Sequence, residues 1–492
     1  MTQGERRILV DGELRESRSG KTFDNINPAT EEVLGVTTDA DLTDADEAIA
    51  AARRAFDETD WSTNHAFRKK CLLQLQEALE AEREEIRAEL IAEVGAPILL
   101  TYGPQLDGPL ADGILWPANY IDEFEWESDL PEGSAFGMRS WRKQYREPVG
   151  VIGAITPWNY PFEITVNKLA QGLATGNTIV LKGAPDTPWT TTRFARVIAE
   201  KTDIPAGVVN VLMSSDHMVG EAFVTDPRVD MISFTGSTAV GRRIMEKGAP
   251  TLKRLFLELG GKSADVVLDD ADFETALAMK WTITVHGGQG CAMSTRLLLP
   301  RSRYEEGLKI VQAGMEAAGF GDPTQPLYVQ GPQINARQRD RIRDLIQSGI
   351  DQGARCVVGG PEQPEGFDKG YYVKPTLFAD VDNSMRIAQE EIFGPVLVVI
   401  PFEDDDDAVR IANESQYGLS GAVTSGSDER ALAVAKRIRT GTVGVNNGLW
   451  YGPDAAFGGY KASGIGRQNG VAGFLQHTET KVIAGGLPPL EA

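Results

Sequence analysis

Apolar and polar positions along the chain fall into two textures. From Thr43 to Phe56 the run TDADEAIAAARRAF places Ala45, Ile49, Ala52 and Phe56 at helical spacing, with acidic residues in the first turn and Thr43 as the expected cap. Between Ala66 and Val94, Phe67, Cys71, Leu75, Leu79, Ile86 and Leu90 recur at intervals near three and four, predicting one long helix closed by Gly95 and Pro97. Cys71 lies on that stripe and reads as a packing thiol. From Val149 the texture changes. The runs VGVIGAIT, NTIVLK, GVVNVL and DMISFTG read as strands separated by helix-length segments, the pattern of a parallel sheet covered on both faces. A second alternation, from Ser263 to Asn446, offers ADVVLD, TRLLLP, RCVVGG, PVLVVI and TVGVNN and predicts a second α/β unit. Phe136 to Pro148 alternates bulky and charged residues like an exposed hairpin suited to pairing with another subunit.

Composition narrows the picture. A chain of 492 residues is long enough for two or three domains, and 41% apolar with 24% charged residues is the make-up of a soluble globular protein. The formal charge of −22 repels phosphate backbones and anionic lipid headgroups, which argues against nucleic-acid or membrane partners. The acidic run Asp404 to Asp407 suits a helix start, where negative groups meet the positive end of the dipole. MTQGERRILVDGE lacks an apolar leader, and no stretch approaches the roughly 20 apolar residues a bilayer span requires. Cys71, Cys291 and Cys356 are odd in number with no short spacing, so a reducing cytoplasm is expected rather than a disulfide framework or a thiolate zinc site. His65, His217, His286 and His477 are scattered, and no metal is expected.

The candidate chemistry sits in glycine-rich runs. Glu258 opens ELGGKS, and Cys291 closes GGQGC thirty-three positions later. A thiol adds to an electrophilic carbonyl and a nearby carboxylate moves the protons, so the pair suggests covalent catalysis. Bland readings stand beside this one: Cys291 as an inert buried thiol, Glu258 paired with Lys262 at the surface, and Asn159 of TPWNYP as an Asx turn before Pro161. FTGSTAVG, from Phe234 to Gly241, is a glycine turn into a helix start that can face a diphosphate, or simply a turn. The usual glycine fingerprint of a Rossmann crossover is absent.

These four segments, in this order, resemble the aldehyde dehydrogenase superfamily, and the resemblance runs from about Asn27 of INPATEE to about Lys481. It implies an α/β fold: a Rossmann-type parallel-sheet cofactor domain (residues 1–128 and 149–258), an α/β catalytic domain (259–458) and a small β oligomerisation element (129–148 and 472–492). It implies NAD(P)-dependent oxidation of an aldehyde to the acid. Cys291 would add to the carbonyl, and the Asn159 amide and the Cys291 N–H would hold the oxyanion. Hydride transfer to the nicotinamide would leave a thioester, which water activated by Glu258 would hydrolyse. The implied cofactor contacts are Ile155, Thr156, Trp158, Lys182, Pro185, Gly236, Ser237, Val240, Leu259, Glu391 and Phe393, with Lys182 on the adenosine ribose and Glu391 and Phe393 on the nicotinamide ribose and ring.

The chain departs from the family pattern in places. Pro185 stands where NAD-preferring members carry a glutamate, so NAD or NADP could serve. NAD is favoured, since Lys182 has no adjoining arginine or second lysine and Asp186 is acidic. Gln468 replaces an acid proposed to relay protons, and an amide cannot titrate. The implied substrate tunnel has walls of Tyr160, Ile164, Val285, Tyr451 and Phe457, with polar Glu163 and Asn167 one helical turn apart. Glu163 would repel a substrate carboxylate, so neutral aliphatic or aromatic aldehydes are expected; alternatively its side chain turns to solvent. Coenzyme A-acylating relatives usually lack the base, which Glu258 argues against, and a thiol-dependent acyl hydrolase or a non-enzymatic descendant of the fold are further alternatives. A homodimer or homotetramer is implied, with contacts at the hairpin near Trp141 and around Thr480 to Ile483.

Overall fold

Backbone pairing gathers the strands of the computed structural model, which describes residues 4–488, into four sheets. In the eight-stranded sheet, Arg254–Glu258, Met231–Thr235, Val151–Ile155, Thr178–Lys182 and Val209–Leu212 lie side by side and parallel. Antiparallel Gly464–Ile465 closes one edge, and Ile8–Val10 with Glu13–Arg15 closes the other. The apolar runs are buried on both faces because alternate side chains enter two different cores. Ile152, Ile179, Met231 and Phe256 join one, and Val151, Val180, Ile232 and Leu257 the other. Each such side chain contributes about 1.5–3 kcal/mol by burial.

The seven-stranded sheet runs Arg355–Val358, Thr376–Ala379, Val396–Phe402, Arg296–Pro300, Ala264–Val267, Gly421–Thr424, Gly444–Val445. All its pairings are parallel except that of the edge strand Arg355–Val358. Thr376–Ala379 and Gly421–Thr424 were not anticipated. TLFA lies between Pro375 and Asp380, and GAVT has one large apolar residue, so neither forms an extended apolar run.

Two helix expectations need correction. The first helix spans Leu42–Glu58, and its cap is Asp41, not Thr43: the Asp41 carboxylate accepts from the N–H groups of Thr43 at 2.8 Å and Asp44 at 3.2 Å, while Asp44 accepts from the Asp41 N–H. The long helix is three segments, His65–Ala81, Arg83–Glu89 and a wide-turned Leu90–Val94 that Gly95 ends in a left-handed conformation. Tertiary demands interrupt the period. Glu82 leaves helical geometry and pairs with Arg193 and Arg196, and Glu93 in the wide turn accepts from the N–H groups of Trp189 at 2.9 Å and Thr190 at 2.7 Å, capping the helix Pro188–Lys201.

The expected hairpin is one strand, Met138–Pro148. Its partners are Glu127–Ala135, across a turn at Phe136 and Gly137, and Thr478–Leu487. Glu127–Ala135 escapes a periodicity reading because ESDLPEGSA is polar and carries a proline. Residues 489–492 of the expected C-terminal element lie outside the described residues. The acidic run behaves as expected, with Asp404 capping the helix Asp405–Asn413. Among the described residues no helix is long and apolar enough to cross a membrane.

Candidate active site

The parallel strands of the larger sheet deliver Ile155, Lys182, Thr235 and Glu258 to one edge, the carboxyl ends where doubly wound sheets present their ligand crevice. Beyond Glu258 the chain meets the Cys291 loop backbone to backbone. A Cβ at Gly261 would lie 2.5 Å from the Cys291 carbonyl oxygen. Gly288, at φ +73°, packs so closely on Gly394 that a Cβ would fall 2.1 Å from its carbonyl group. The sparse side chains of ELGGKS and GGQGC are therefore the condition for bringing Glu258, Cys291 and the Glu391–Phe393 segment together. Gln289 locks the turn, donating to the carbonyls of His286 at 2.9 Å and Pro332 at 3.2 Å and accepting from the Ile334 N–H at 2.9 Å.

Asn159 enters from the loop after Val151–Ile155 and is buried. Its carbonyl accepts from Gln105 Nε2 and His286 Nε2, both at 2.9 Å, and its own Nδ2 donates to the Gln289 carbonyl at 2.9 Å. One amide hydrogen remains for another acceptor. Burial pushes His286 down to about 4, so the ring is neutral, and its proton must sit on Nε2 to bond the carbonyl. Neither Gln105 nor His286 carries a sequence signal for this role.

Electrostatics set the resting state. Burial pushes the Glu258 carboxyl up to about 8, opposed by the Lys168 ammonium and reinforced by Glu391 and Glu163. Burial also raises the Cys291 thiol well above its usual range, helped by the same three carboxyls. The thiol is therefore protonated at rest and needs a base. The surface pair of Glu258 with Lys262 does not exist as expected: the two residues are 2% and 1% exposed, and the lysine acting on Glu258 is Lys168, whose Nζ donates to Ser233 Oγ at 3.1 Å. Cys71 is buried, as expected, and burial pushes its thiol up to about 12.

Two cavities meet at this point, sharing Asn159, Ile164, Thr235, Glu258 and Cys291. The first, about 370 Å³, is walled by Trp158, Gly236, Ser237, Leu259, Glu391 and Phe393 from the expected set, together with unforeseen Gln338, Arg341 and Tyr417. Arg341 donates to the carbonyls of Glu391 at 2.8 Å and Ile392 at 2.9 Å, and Glu391 accepts from the Gly261 N–H at 2.9 Å. Phe393 is held at φ +60° with its ring edge-on to Trp158, centroids 5.4 Å apart. Ile155, Thr156, Lys182, Pro185 and Val240 are not among the walls of this cleft. Lys182 is buried at its strand end, donating to the Ser214 carbonyl at 3.0 Å, and Val240 lies exposed in the first turn of Thr238–Gly248, below its cap Ser237.

The second cavity, about 320 Å³, has Tyr160, Glu163, Ile164, Tyr451 and Phe457 in its walls, with Pro104, Met293, Trp450 and Gln468 added. Trp450 stacks on Phe457 at 5.8 Å, and Tyr451 meets Phe457 edge-on at 5.3 Å. Glu163 does not turn to solvent. Tyr451 donates its hydroxyl hydrogen to the Glu163 carboxylate and accepts from Asn167 Nδ2 at 3.1 Å, so Asn167 acts from behind the wall. Burial pushes Glu163 up to about 7. Val285 is not a wall residue; it sits at a kink, with ψ 134°, just before left-handed His286, which turns the segment away. Among the described residues no group of three His, Cys, Asp or Glu side chains could hold a metal ion.

A doubly wound α/β sheet whose strand ends face a buried thiol and carboxyl between two cavities has the ligand crevice of the dinucleotide-binding class of folds. The model of the aldehyde dehydrogenase family matches residues 14–483. The chain is 39% identical to a 3-succinoylsemialdehyde-pyridine dehydrogenase of a Pseudomonas species over 98% of each chain. Among solved structures, an aldehyde dehydrogenase of Mycobacterium tuberculosis complexed with NAD+ superposes with a TM-score of 0.93 at 39% identity, covering 99% of both chains. Aldehyde dehydrogenase C of Pseudomonas syringae, solved with NAD+ and octanal, gives 0.91 at 37% identity over 98% of this chain and 97% of that one. The chain belongs to the aldehyde dehydrogenase family and is an aldehyde-oxidising enzyme.

Proposed function

We propose that the protein oxidises a neutral aliphatic or aromatic aldehyde to its acid with NAD, through a covalent adduct on Cys291. The observation that carries this reading is the meeting of two cavities of different chemistry at Cys291 and Glu258. Glu258 takes the thiol proton, directly or through water, and the sulfur adds to the carbonyl carbon. The free hydrogen of the Asn159 amide and the Cys291 N–H stabilise the oxyanion. NAD, when bound in the first cavity, supplies the hydride acceptor. Once Glu258 has passed the thiol proton on to solvent water, it removes a proton from the water that cleaves the Cys291 thioester, which is why the hydrolytic outcome is favoured over transfer to coenzyme A. Gln468 borders the same cavity and cannot titrate, so Glu258 and water carry the protons.

The residues fit a dinucleotide. The cleft opens along strand ends, beside a capped helix start whose first N–H groups suit a diphosphate. The carboxylates of Asp39, Asp216 and Asp186 all act on Lys182, whose Nζ burial pulls down to about 8. That acidic surrounding repels a 2′-phosphate and supports NAD over NADP despite Pro185. The aromatic walls and Glu163 support an uncharged aldehyde, in keeping with the octanal bound by the Pseudomonas syringae relative. Exposed Phe136, Met138, Trp141, Val482 and Ile483 on the three-stranded sheet suit the contacts of a homodimer or homotetramer. Three free cysteines suit a reducing cytoplasm.

The test is initial-rate nicotinamide reduction with neutral and acid-bearing aldehydes, each with NAD and NADP. NAD reduction that is faster with neutral aldehydes is expected. Ester turnover without any nicotinamide reduction would replace this reading with a thiol-dependent hydrolase.

A further inference from the structure

The second cavity contains a carboxyl that the proposed reaction does not use. Glu163, in the first turn of the helix Pro161–Ala174, lines the same cavity as Cys291, so a group bound to it shares one space with the reacting carbonyl. Its two oxygens have different surroundings. Oε1 accepts from the Tyr451 hydroxyl, which in turn accepts from Asn167 Nδ2 at 3.1 Å, and this chain of hydrogen bonds fixes the orientation of the carboxyl. Oε2 accepts nothing from the described residues and is not closed off, since Glu163 is part-exposed and that exposure opens on the cavity. Ile164, Trp450 and Phe457 make the neighbouring walls apolar. Once a substrate displaces water from these walls, the free oxygen is costly unless the substrate itself brings a hydrogen. The state of the carboxyl selects the kind of donor. Burial holds Glu163 up at about 7, so both of its protonation forms are populated near neutrality. A hydroxyl bonds to either form, whereas an ammonium is matched only by the ionised one.

We propose that this pocket selects an uncharged aldehyde carrying a hydroxyl group, whose hydrogen Glu163 Oε2 accepts while the carbonyl lies at Cys291. The proposal rests on the aldehyde-oxidation reading above and narrows its substrate class. Asn167, behind the wall, acts through Tyr451 to hold the accepting oxygen in place.

The experiment measures kcat/KM with NAD at pH 8 for pairs of aldehydes matched in shape: 3- and 4-(hydroxymethyl)benzaldehyde against 3- and 4-methylbenzaldehyde. A cationic analogue, 3-[(dimethylamino)methyl]benzaldehyde, is run beside them. Wild type is expected to favour the hydroxymethyl member at one ring position or both by about tenfold, the scale of one hydrogen bond to a charged group. Glu163→Leu/Tyr451→Phe replaces the carboxyl and the hydroxyl bonded to it with apolar groups of similar size, and the ratio should fall to about one. Glu163→Gln keeps an acceptor for Tyr451 and serves as the second line if the double variant fails to fold; with an uncharged amide in place of the carboxylate, the ratio should fall to about threefold or less. Turnover with no hydroxyl preference in wild type, a preference undiminished in these variants, or faster turnover of the cationic analogue than of its hydroxymethyl counterpart would overturn the proposal and leave aldehyde oxidation standing. Absence of nicotinamide reduction with every aldehyde would overturn the aldehyde-oxidation reading, and this one with it.

Discussion

The two cavities that share Cys291 are built by different means. The cleft proposed for NAD is framed by backbone: strand ends, a capped helix start and glycine segments pressed against one another, with Arg341 pinning the carbonyls of Glu391 and Ile392. The substrate-side pocket is largely side chain: Tyr160 and Glu163 from one helix start, Trp450, Tyr451 and Phe457 from a loop nearly three hundred residues later, and Pro104 and Gln468 from elsewhere. Backbone geometry tolerates few alternatives, so the chemistry is rigidly placed. Side-chain walls can be exchanged without disturbing the sheet beneath, so substitutions there are the ones expected to change substrate choice.

The largest expected effect strikes both cavities at once. Cys291→Ala should reduce aldehyde oxidation to the assay background while calorimetry still detects NAD binding; substantial turnover in that variant would remove the thiol from the mechanism. Glu258→Gln should lower steady-state nicotinamide reduction by about 10²- to 10⁴-fold, because the same carboxyl serves both the thiol and the hydrolytic water. The wild-type rate should also report this carboxyl. With the ionised form as the proposed base and burial holding the carboxyl up at about 8 in the free enzyme, kcat/KM should rise with pH up to about 8 and level off above it, a limb absent from the glutamine variant. The smallest effect separates the cavities. Glu163→Gln should raise kcat/KM for an acid-bearing aldehyde, relative to a neutral one of equal length, by about three- to tenfold, the scale of one partly screened charge. Because Glu163 titrates at about 7, the gain should be larger at pH 8 than at pH 6, and KM for NAD should not follow it.

How much of this was readable in the chain depended on whether the information was local. The strands Val151–Ile155, Thr178–Lys182, Val209–Leu212 and Met231–Thr235 announce themselves as apolar runs because both faces of the sheet are buried. Thr376–Ala379, Gly421–Thr424 and polar Glu127–Ala135 form no such run. The helix over Ala66 to Val94 was overdrawn because its breaks are made by partners a hundred residues away, Arg193 and Arg196 on Glu82 and the helix N–H groups on Glu93. In the site, Glu258, Cys291, Asn159, Glu391 and Phe393 were named from motifs, while Gln105, His286, Lys168 and Arg341 were not, since each acts through contacts that no sequence interval encodes.

The α/β alternation, the family and the candidate pair Glu258 and Cys291 were legible in the chain, because they reside in local periodicity and in glycine-rich runs that admit close backbone approach. The tertiary structure decided which lysine faces Glu258, that Glu163 is tied to Tyr451 rather than to water, and that Gln105 and His286 hold the Asn159 backbone. Burial and non-local packing set all three. A charge changes its behaviour, and a side chain its purpose, according to what the fold places beside it.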